Sequence, residues 1–315
     1  MKSSDTPETS LIVIAYREAA RIEATLRAIL NQAGAPAFEV VVVDDGSPDA
    51  TGDIVAALAV GEPRLRLLRL PKNVGRGLAR AAGVAAARGQ SIGFVDADTT
   101  LPPDWLTRCV AALPGHAAVG GTAVPDGDVA VVTRITGVSV RPLRHSRAVT
   151  GSNVLFDGDV LRATRFPKTP LGEDFRLVTT LQRSGHRLAT IPGLFVKHDE
   201  RKSYRNAVIF MFRSGIDANR LLAEFRELRS PDAAGLAFSI ALAVSVVAAA
   251  AGFVSALLLP LSIMLGTWVG HVLTRFRIFP SPLRFVFAAL LDLPVIAAYL
   301  TGRLIGIPLL ARRPK

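Results

Sequence analysis

The sequence predicts an α/β domain built on a mostly parallel sheet, followed by an α-helical transmembrane region. Three observations carry that expectation. Between residues 11 and 110, short apolar runs alternate with stretches of helical spacing, the pattern of consecutive βαβ units. "FEVVVVD" is apolar without alternation, as a strand covered by helices on both faces must be. From Ala233 to Leu273 there is no Asp, Glu, Lys or Arg, and a second apolar run extends from Phe285 to Leu310.

The elements follow in order. "LIVIAY" reads as the first strand, and Glu18–Gln32 has helical spacing through Ile22, Leu26, Ile29 and Leu30. "FEVVVVD" is the second strand, Asp49–Ala59 a helix, "RLRLLRL" the third strand, Gly75–Arg88 an Ala-rich helix and "SIGFVD" the fourth strand. Further on, short strands are expected near Ala117–Val124 and Thr150–Phe156, a helix over Glu173–Ser184, and one or two strands in "RLATIPGLFVKHD". Lys202–Leu228 puts Ile209, Phe212 and Ile216 on one face, interleaved with Arg205, Arg213 and Arg220. A basic amphipathic helix beside an apolar tail suits the lipid headgroup layer. Its plainer role is to pack on its own domain.

The expected organisation is a catalytic domain over 1–200, basic amphipathic interfacial helices over 201–232 and a membrane region over 233–315. A span takes about 20 apolar residues, so two fit within 233–273 and a third membrane segment within 285–310. Asp292 lies inside that third segment. Ionisable residues so placed face a protein interior, which points to a membrane-protein partner or a homo-oligomer.

The 315-residue chain is 50% hydrophobic with a net charge of +11, and residues 233–315 hold +6 of that charge. The remainder has no dense basic block, which argues against a nucleic-acid partner. Basic residues flanking apolar spans suit a multi-pass protein of the cell membrane whose catalytic domain is cytoplasmic. Cys109 stands alone, in keeping with a reducing compartment, and "MKSSDTPETS" contains no apolar signal segment.

Asp44, Asp45, Asp96 and Asp98 fall at the carboxyl ends of two strands, where open α/β sheets bind ligands. A lone Asp there would serve a turn. Asp96 and Asp98 are one residue apart, and such neighbours repel unless a cation neutralises them. Oxygen ligands point to Mg²⁺ or Mn²⁺ bound together with substrate phosphates.

Several motifs, in order, make residues 10–230 resemble the family 2 glycosyltransferases, which have the GT-A fold (Rossmann-like, with a mostly parallel sheet). They are "LIVIAYREAARIEATLRAIL", "EVVVVDDGSPDAT", "NVGRGLARAAGVAAARG", "FVDADT", "TGSNVLFDGDVL" and "LGEDFRLVTTLQRSGHRL". The resemblance implies that Asp44 and Asp45 contact the nucleobase or ribose of a nucleotide-sugar. It implies that Tyr16, Glu18, Arg80, Gly151 and Ser152 help to hold that donor. Asp96 would lie near the ribose, and Asp98, with Asp96 and His198, would hold the metal. Asp174 would be the catalytic base, with Glu173 beside it.

The family often opens with Pro-x-Tyr-Asn-Glu, where this chain has Ile14-Ala15-Tyr16-Arg17-Glu18. The Gln-x-x-Arg-Trp motif of processive synthases is absent. The implied activity is a single, inverting, metal-dependent transfer from a nucleotide-sugar, with UDP-sugars favoured. A retained base suits a hydroxyl acceptor, and the apolar tail suggests one on a membrane lipid or lipid-linked glycan, as in cell-envelope glycan or glycolipid synthesis. A polyprenyl-phosphate acceptor is the alternative within the family. Outside it stand a haloacid-dehalogenase-type phosphohydrolase, whose motif "FVDADTT" loosely matches, and a non-catalytic membrane scaffold that binds nucleotide-sugar.

Overall fold

Strands β1 (Thr9–Ala15), β2 (Phe38–Asp44), β3 (Leu65–Arg69) and β4 (Ser91–Asp96) lie in the order β3-β2-β1-β4, every neighbouring pair parallel. Helices α1 (Ile22–Leu30), α2 (Thr51–Val60) and α3 (Arg76–Ala86) make the crossovers that parallel strands require. The computed structural model describes residues 6–125, 153–164, 166, 172–199, 204–226, 230–253, 255, 258–275 and 282–308. Up to residue 199 the described residues form one compact unit, and from 204 onward a second.

The first unit continues through β5 (Thr99–Thr100), α4 (Trp105–Ala112), β6 (Ala118–Pro125), β7 (Asn153–Asp157), α5 (Gly158–Ala163), α6 (Glu173–Arg183) and β8 (Leu188–His198). The sheet extends as β4-β7-β6-β8-β5, with β7 antiparallel to both β4 and β6 and β5 antiparallel to β8. The expectation of a mostly parallel sheet is therefore corrected to a mixed one. Antiparallel neighbours join at the same end and need no crossover helix, so the regular strand–helix alternation is lost there.

Each central strand is buried on both faces, and alternate residues sort into two cores. Leu11, Val13, Val40, Val42 and Val95 pack with Ile22 and Leu26 of α1, Val55 of α2 and Trp105 of α4. Ile12, Val41, Val43, Ile92 and Phe94 pack on the other side with Ala79 of α3, Leu161 of α5 and Leu177 of α6. Burying one such aliphatic side chain contributes about 1.5–3 kcal/mol. The same alternation aims the acidic residues at the strand ends. Asp44 continues the row of Val40 and Val42 toward α2, and Asp96 continues the row of Ile92 and Phe94 toward α3 and α6.

The second unit contains α7 (Tyr204–Phe225), α8 (Ser230–Ala250), α9 (Leu258–Arg275) and α10 (Pro282–Ile305). Helices α7 and α10 cross closely at glycines: a Cβ on Gly215 would collide with Tyr299 O, and one on Gly302 with Phe212 O. Asn219 Nδ2 donates to Arg303 O at 2.5 Å beside that crossing. Helix α7 thus buries Ala218, Leu221 and Phe225 within its own unit, while Arg213, Arg220 and Arg226 are exposed.

Ile240, Val244 and Val247 of α8 and Leu258, Leu261 and Leu265 of α9 are exposed, whereas Ser239 and Ser245 are buried. Among the described residues, no helix is long and apolar enough to cross a membrane. The spans expected within 233–273 and 285–310 are accordingly not found as such.

Candidate functional site

A cavity of about 390 Å³ opens at the carboxyl ends of β1, β2 and β4. Of the residues expected there, Tyr16, Glu18, Asp45, Asp96 and Asp98 line it. Asn73 and Gly75, from the loop between β3 and α3, and Arg76, the first residue of α3, line it as well. They were missed as individual residues, although "NVGRG" carries them.

The wall formed by residues 16–21 is a loop, which corrects the helix expected to begin at Glu18. Backbone N–H groups of Arg17, Glu18 and Ala19 donate to Ser47 Oγ, Thr51 Oγ1 and Asp49 Oδ2, all from the turn into α2. With those donors engaged, helical turns begin only at Ile22. Arg17 sits at φ +61°, a left-handed conformation that Asn tolerates better than Arg, and its guanidinium lies 5.4 Å from the centroid of the Tyr16 ring.

At the end of β2, Asp45 and Asp44 diverge. Asp45 Oδ1 and Oδ2 accept the N–H groups of Val74 and Gly75 at 2.7 and 3.0 Å, fastening the β3–α3 loop to the cavity wall. Gly46 has φ +67°, and a Cβ there would lie 2.6 Å from the Lys72 carbonyl carbon, so the turn tolerates only glycine. Asp44 faces away: Oδ1 accepts the Ser47 N–H at 3.0 Å, and a Cβ on Gly52 would strike Oδ2. Asp44 does not line the cavity. Strand alternation sends its side chain toward α2.

The opposite corner gathers charge. Thr99 pairs with His198 across the β5–β8 ladder, and Asp199 N donates to Asp98 O at 2.8 Å, so the end of β8 lies against "DAD". His198 Nε2 is 3.1 Å from Asp98 Oδ1 and 3.9 Å from Asp96 Oδ2. One ligand atom from each of Asp96, Asp98 and His198 lies within 4.8 Å of the others, a group able to hold a metal ion. Burial pulls the His198 pKa down, but attraction to Asp96 and Asp98 outweighs it and raises the value to about 10. Burial would raise the Asp96 pKa, yet His198, Arg80 and Arg76 together lower it. Glu18 is raised, chiefly by burial and further by Asp98 and Asp96, while Arg21 opposes the shift. Arg21 ties this corner together, donating to Glu18 Oε2 at 3.0 Å and to Asp199 Oδ2 at 2.9 Å.

Glu173 and Asp174 open α6 behind Gly172, and the structure separates them. Glu173 is buried, and its Oε1 accepts from Arg80 NH1 at 2.7 Å. Asp174 is half-buried, accepts the Phe175 N–H at 2.8 Å, and borders a small space with Phe94, Phe156 and Phe166. Arg80 is itself buried, donates to Asp96 Oδ1 at 2.9 Å and does not line the donor cavity. Gly151, Ser152 and the side chain of Asp292 lie outside the described residues.

Comparison with known proteins agrees with this geometry. Residues 10–167 match the model of glycosyl transferase family 2. The succinoglycan biosynthesis protein ExoO of Rhizobium meliloti is 33% identical over 212 residues, 59% of this chain and 59% of that protein. A dolichyl-phosphate beta-glucosyltransferase of Drosophila melanogaster is 40% identical over 115 residues, 33% of this chain and 35% of its own length. The matches thus span about a third to three fifths of these relatives. Among solved structures, a mannosyltransferase of Pyrobaculum calidifontis, PcManGT, in complex with GDP-Man and Mn²⁺, superposes with TM-score 0.61. That match covers 96% of this chain and 88% of the other at 20% identity, a likeness of fold. A sheet with a charged crevice at its strand ends, and a family match across half of the sequence, lead to one conclusion: the chain belongs to glycosyl transferase family 2.

Proposed function

We propose that the protein transfers one sugar from a nucleotide-sugar, UDP-linked by preference, to a hydroxyl group of a membrane lipid or lipid-linked glycan, with inversion at the anomeric carbon. The observation that carries this reading is the convergence of Asp96, Asp98 and His198 at one corner of the cavity lined by Tyr16, Glu18 and Asp45. Two carboxylates and an imidazole suit Mn²⁺ well and also accept Mg²⁺. The PcManGT complex, which holds Mn²⁺ beside its donor, supports the choice. Bound there, the ion would offset the charge that gathers on a departing diphosphate.

The protein's own groups supply the rest. Tyr16, exposed at the cavity rim, offers a ring face to a nucleobase. Asp45 holds the opposite wall through the backbone of Val74 and Gly75. Asp174 takes the proton of the attacking hydroxyl. The exposed apolar side chains of α8 and α9 support docking of the second unit on a bilayer, with the catalytic domain 1–200 on its cytoplasmic face. Family membership argues against the phosphohydrolase alternative.

A second reading has specific support. The similarity to a dolichyl-phosphate glucosyltransferase favours a polyprenyl phosphate as acceptor, which is already anionic and needs no base. One experiment separates the two. Detergent-purified protein is incubated with UDP- and GDP-sugars, Mn²⁺ and either a membrane-lipid extract or a polyprenyl phosphate, beside Asp174→Asn. The hydroxyl reading expects metal-dependent nucleotide release that falls by about 10²–10⁴-fold in Asp174→Asn. Release that needs polyprenyl phosphate and survives the substitution establishes the second reading. No turnover and no binding of any donor would sink both.

A further inference from the structure

Arg80 is only 3% exposed, in the part of the molecule where chemistry is proposed. One guanidinium serves two carboxylates: NH1 donates to Glu173 Oε1 at 2.7 Å and NH2 to Asp96 Oδ1 at 2.9 Å. The Phe94 ring lies under it, 5.4 Å from Cζ to the centroid, and Arg76 Nε stands 3.7 Å from Glu173 Oε1. Asp96 belongs to the metal-holding group, and Glu173 is the residue before Asp174 at the start of α6. The two carboxylates are 77 positions apart in sequence and sit on different elements, β4 and α6.

We infer that Arg80 is a positioning residue that fixes the metal-holding corner and the base-bearing end of α6 relative to each other. This role rests on the reading that Asp96 faces the donor and Asp174 the acceptor. Several features argue for it over a donor contact or a mere core ion pair. Arg80 does not line the donor cavity. Its planar fork can hold two carboxylates in one plane at once, which a lysine ammonium on a single stem does not reproduce. Buried charges are costly, and packed apolar side chains in place of all three groups would often be as stable. What the apolar filling would lose is the fixed geometry between β4 and α6. Displacement transfer depends on that geometry, because an error near 1 Å at the reacting atoms costs about 10²-fold in rate. Glu173 has its place in this arrangement as the anchor of α6, so it acts through Arg80 and leaves the proton to Asp174.

The test uses the full-length protein in detergent, with Arg80→Lys, Glu173→Gln and the double variant. UDP binding without metal, Mn²⁺ binding, and kcat and KM for the donor turned over by the wild type are measured. Arg80→Lys is expected to leave metal-free UDP affinity unchanged while weakening Mn²⁺ about 10-fold and lowering kcat about 10–100-fold, as loss of an outer partner does. Glu173→Gln is expected to lower kcat with Mn²⁺ and UDP affinities unchanged. The double variant should be no slower than Arg80→Lys, since two residues acting through one link are not additive. Loss of metal-free UDP affinity in Arg80→Lys would overturn the inference and restore a nucleotide contact. Multiplying effects in the double variant would overturn it too. Should Arg80→Lys fail to fold, Glu173→Gln decides alone, and unchanged kcat counts against the role. Wild-type protein that binds neither UDP nor Mn²⁺ would overturn the reading of the site and this role with it, before any variant is compared.

Discussion

The two units of the molecule distribute polarity in opposite ways. In the first, Leu11, Val13, Val40 and Val42 are fully buried. Its buried Arg80 is held in partnership with Asp96 and Glu173. In the second, Val247 and Leu258 are 71% and 63% exposed, while Asp217, Asn219, Ser245 and Arg303 are buried. Burial of apolar surface cannot account for the second pattern if water surrounds it, since large exposed apolar patches mark interaction sites. Lipid can account for it. Helices α7 and α10 meet through small residues and a polar group, Gly215, Gly302 and Asn219, which is compatible with the proposed lipid docking. On the proposed function the comparison separates two tasks: chemistry in a core assembled by apolar burial, and docking through a surface assembled from apolar exposure.

The largest expected effect breaks the comparison at the second unit. Val247→Asp places a carboxylate on the exposed face of α8. Against lipid it should weaken association by about 1.5–3 kcal/mol, the contribution of burying one such aliphatic side chain. Against water it should change stability by no more than about 0.5 kcal/mol. Co-flotation with lipid vesicles reads the difference, and unchanged flotation would remove the bilayer from the account.

A smaller effect sharpens the comparison at the first unit. Glu39 is buried at the end of the sheet opposite the cavity, where burial would raise its pKa. Hydrogen bonds from Ser10, Arg66 and Arg88 outweigh that and lower it from the ordinary 4.5 to about 2. A depressed carboxylate pKa stabilises the fold above the unfolded value. This contribution should be complete above about pH 4.5 and lost as pH falls toward about 2. Thermal unfolding of Glu39→Gln should be lower than wild type at neutral pH and converge with it across that window. Parallel profiles would contradict the assignment.

Legibility in the sequence followed the range of the interactions. The strands β1 to β4 were readable because each is a local apolar run, and Asp45, Asp96, Asp98 and His198 because motifs carry them. The mixed pairing of β6, β7 and β8 was not readable, since their partners are remote in sequence and Gly120, Gly121 and Pro192 interrupt the pattern. Residues 18–21 have helical composition, yet Ser47, Asp49 and Thr51 take the backbone donors of the segment leading into α1. Asp44 and Arg80 were within reach of periodicity alone. Asp44 shares the row of Val40 and Val42, and Arg80 shares a helix face with Arg76, Ala79, Gly83 and Val84.

The claim on which the account turns is that Asp96, Asp98 and His198 hold a divalent ion with the donor. Mn²⁺ paramagnetic resonance on the purified protein, with and without UDP, tests it before any acceptor is known. The account predicts a bound-Mn²⁺ spectrum that tightens with UDP and is lost in both Asp98→Ala and His198→Ala, with folding unchanged. Equal Mn²⁺ binding by wild type and both variants would contradict it.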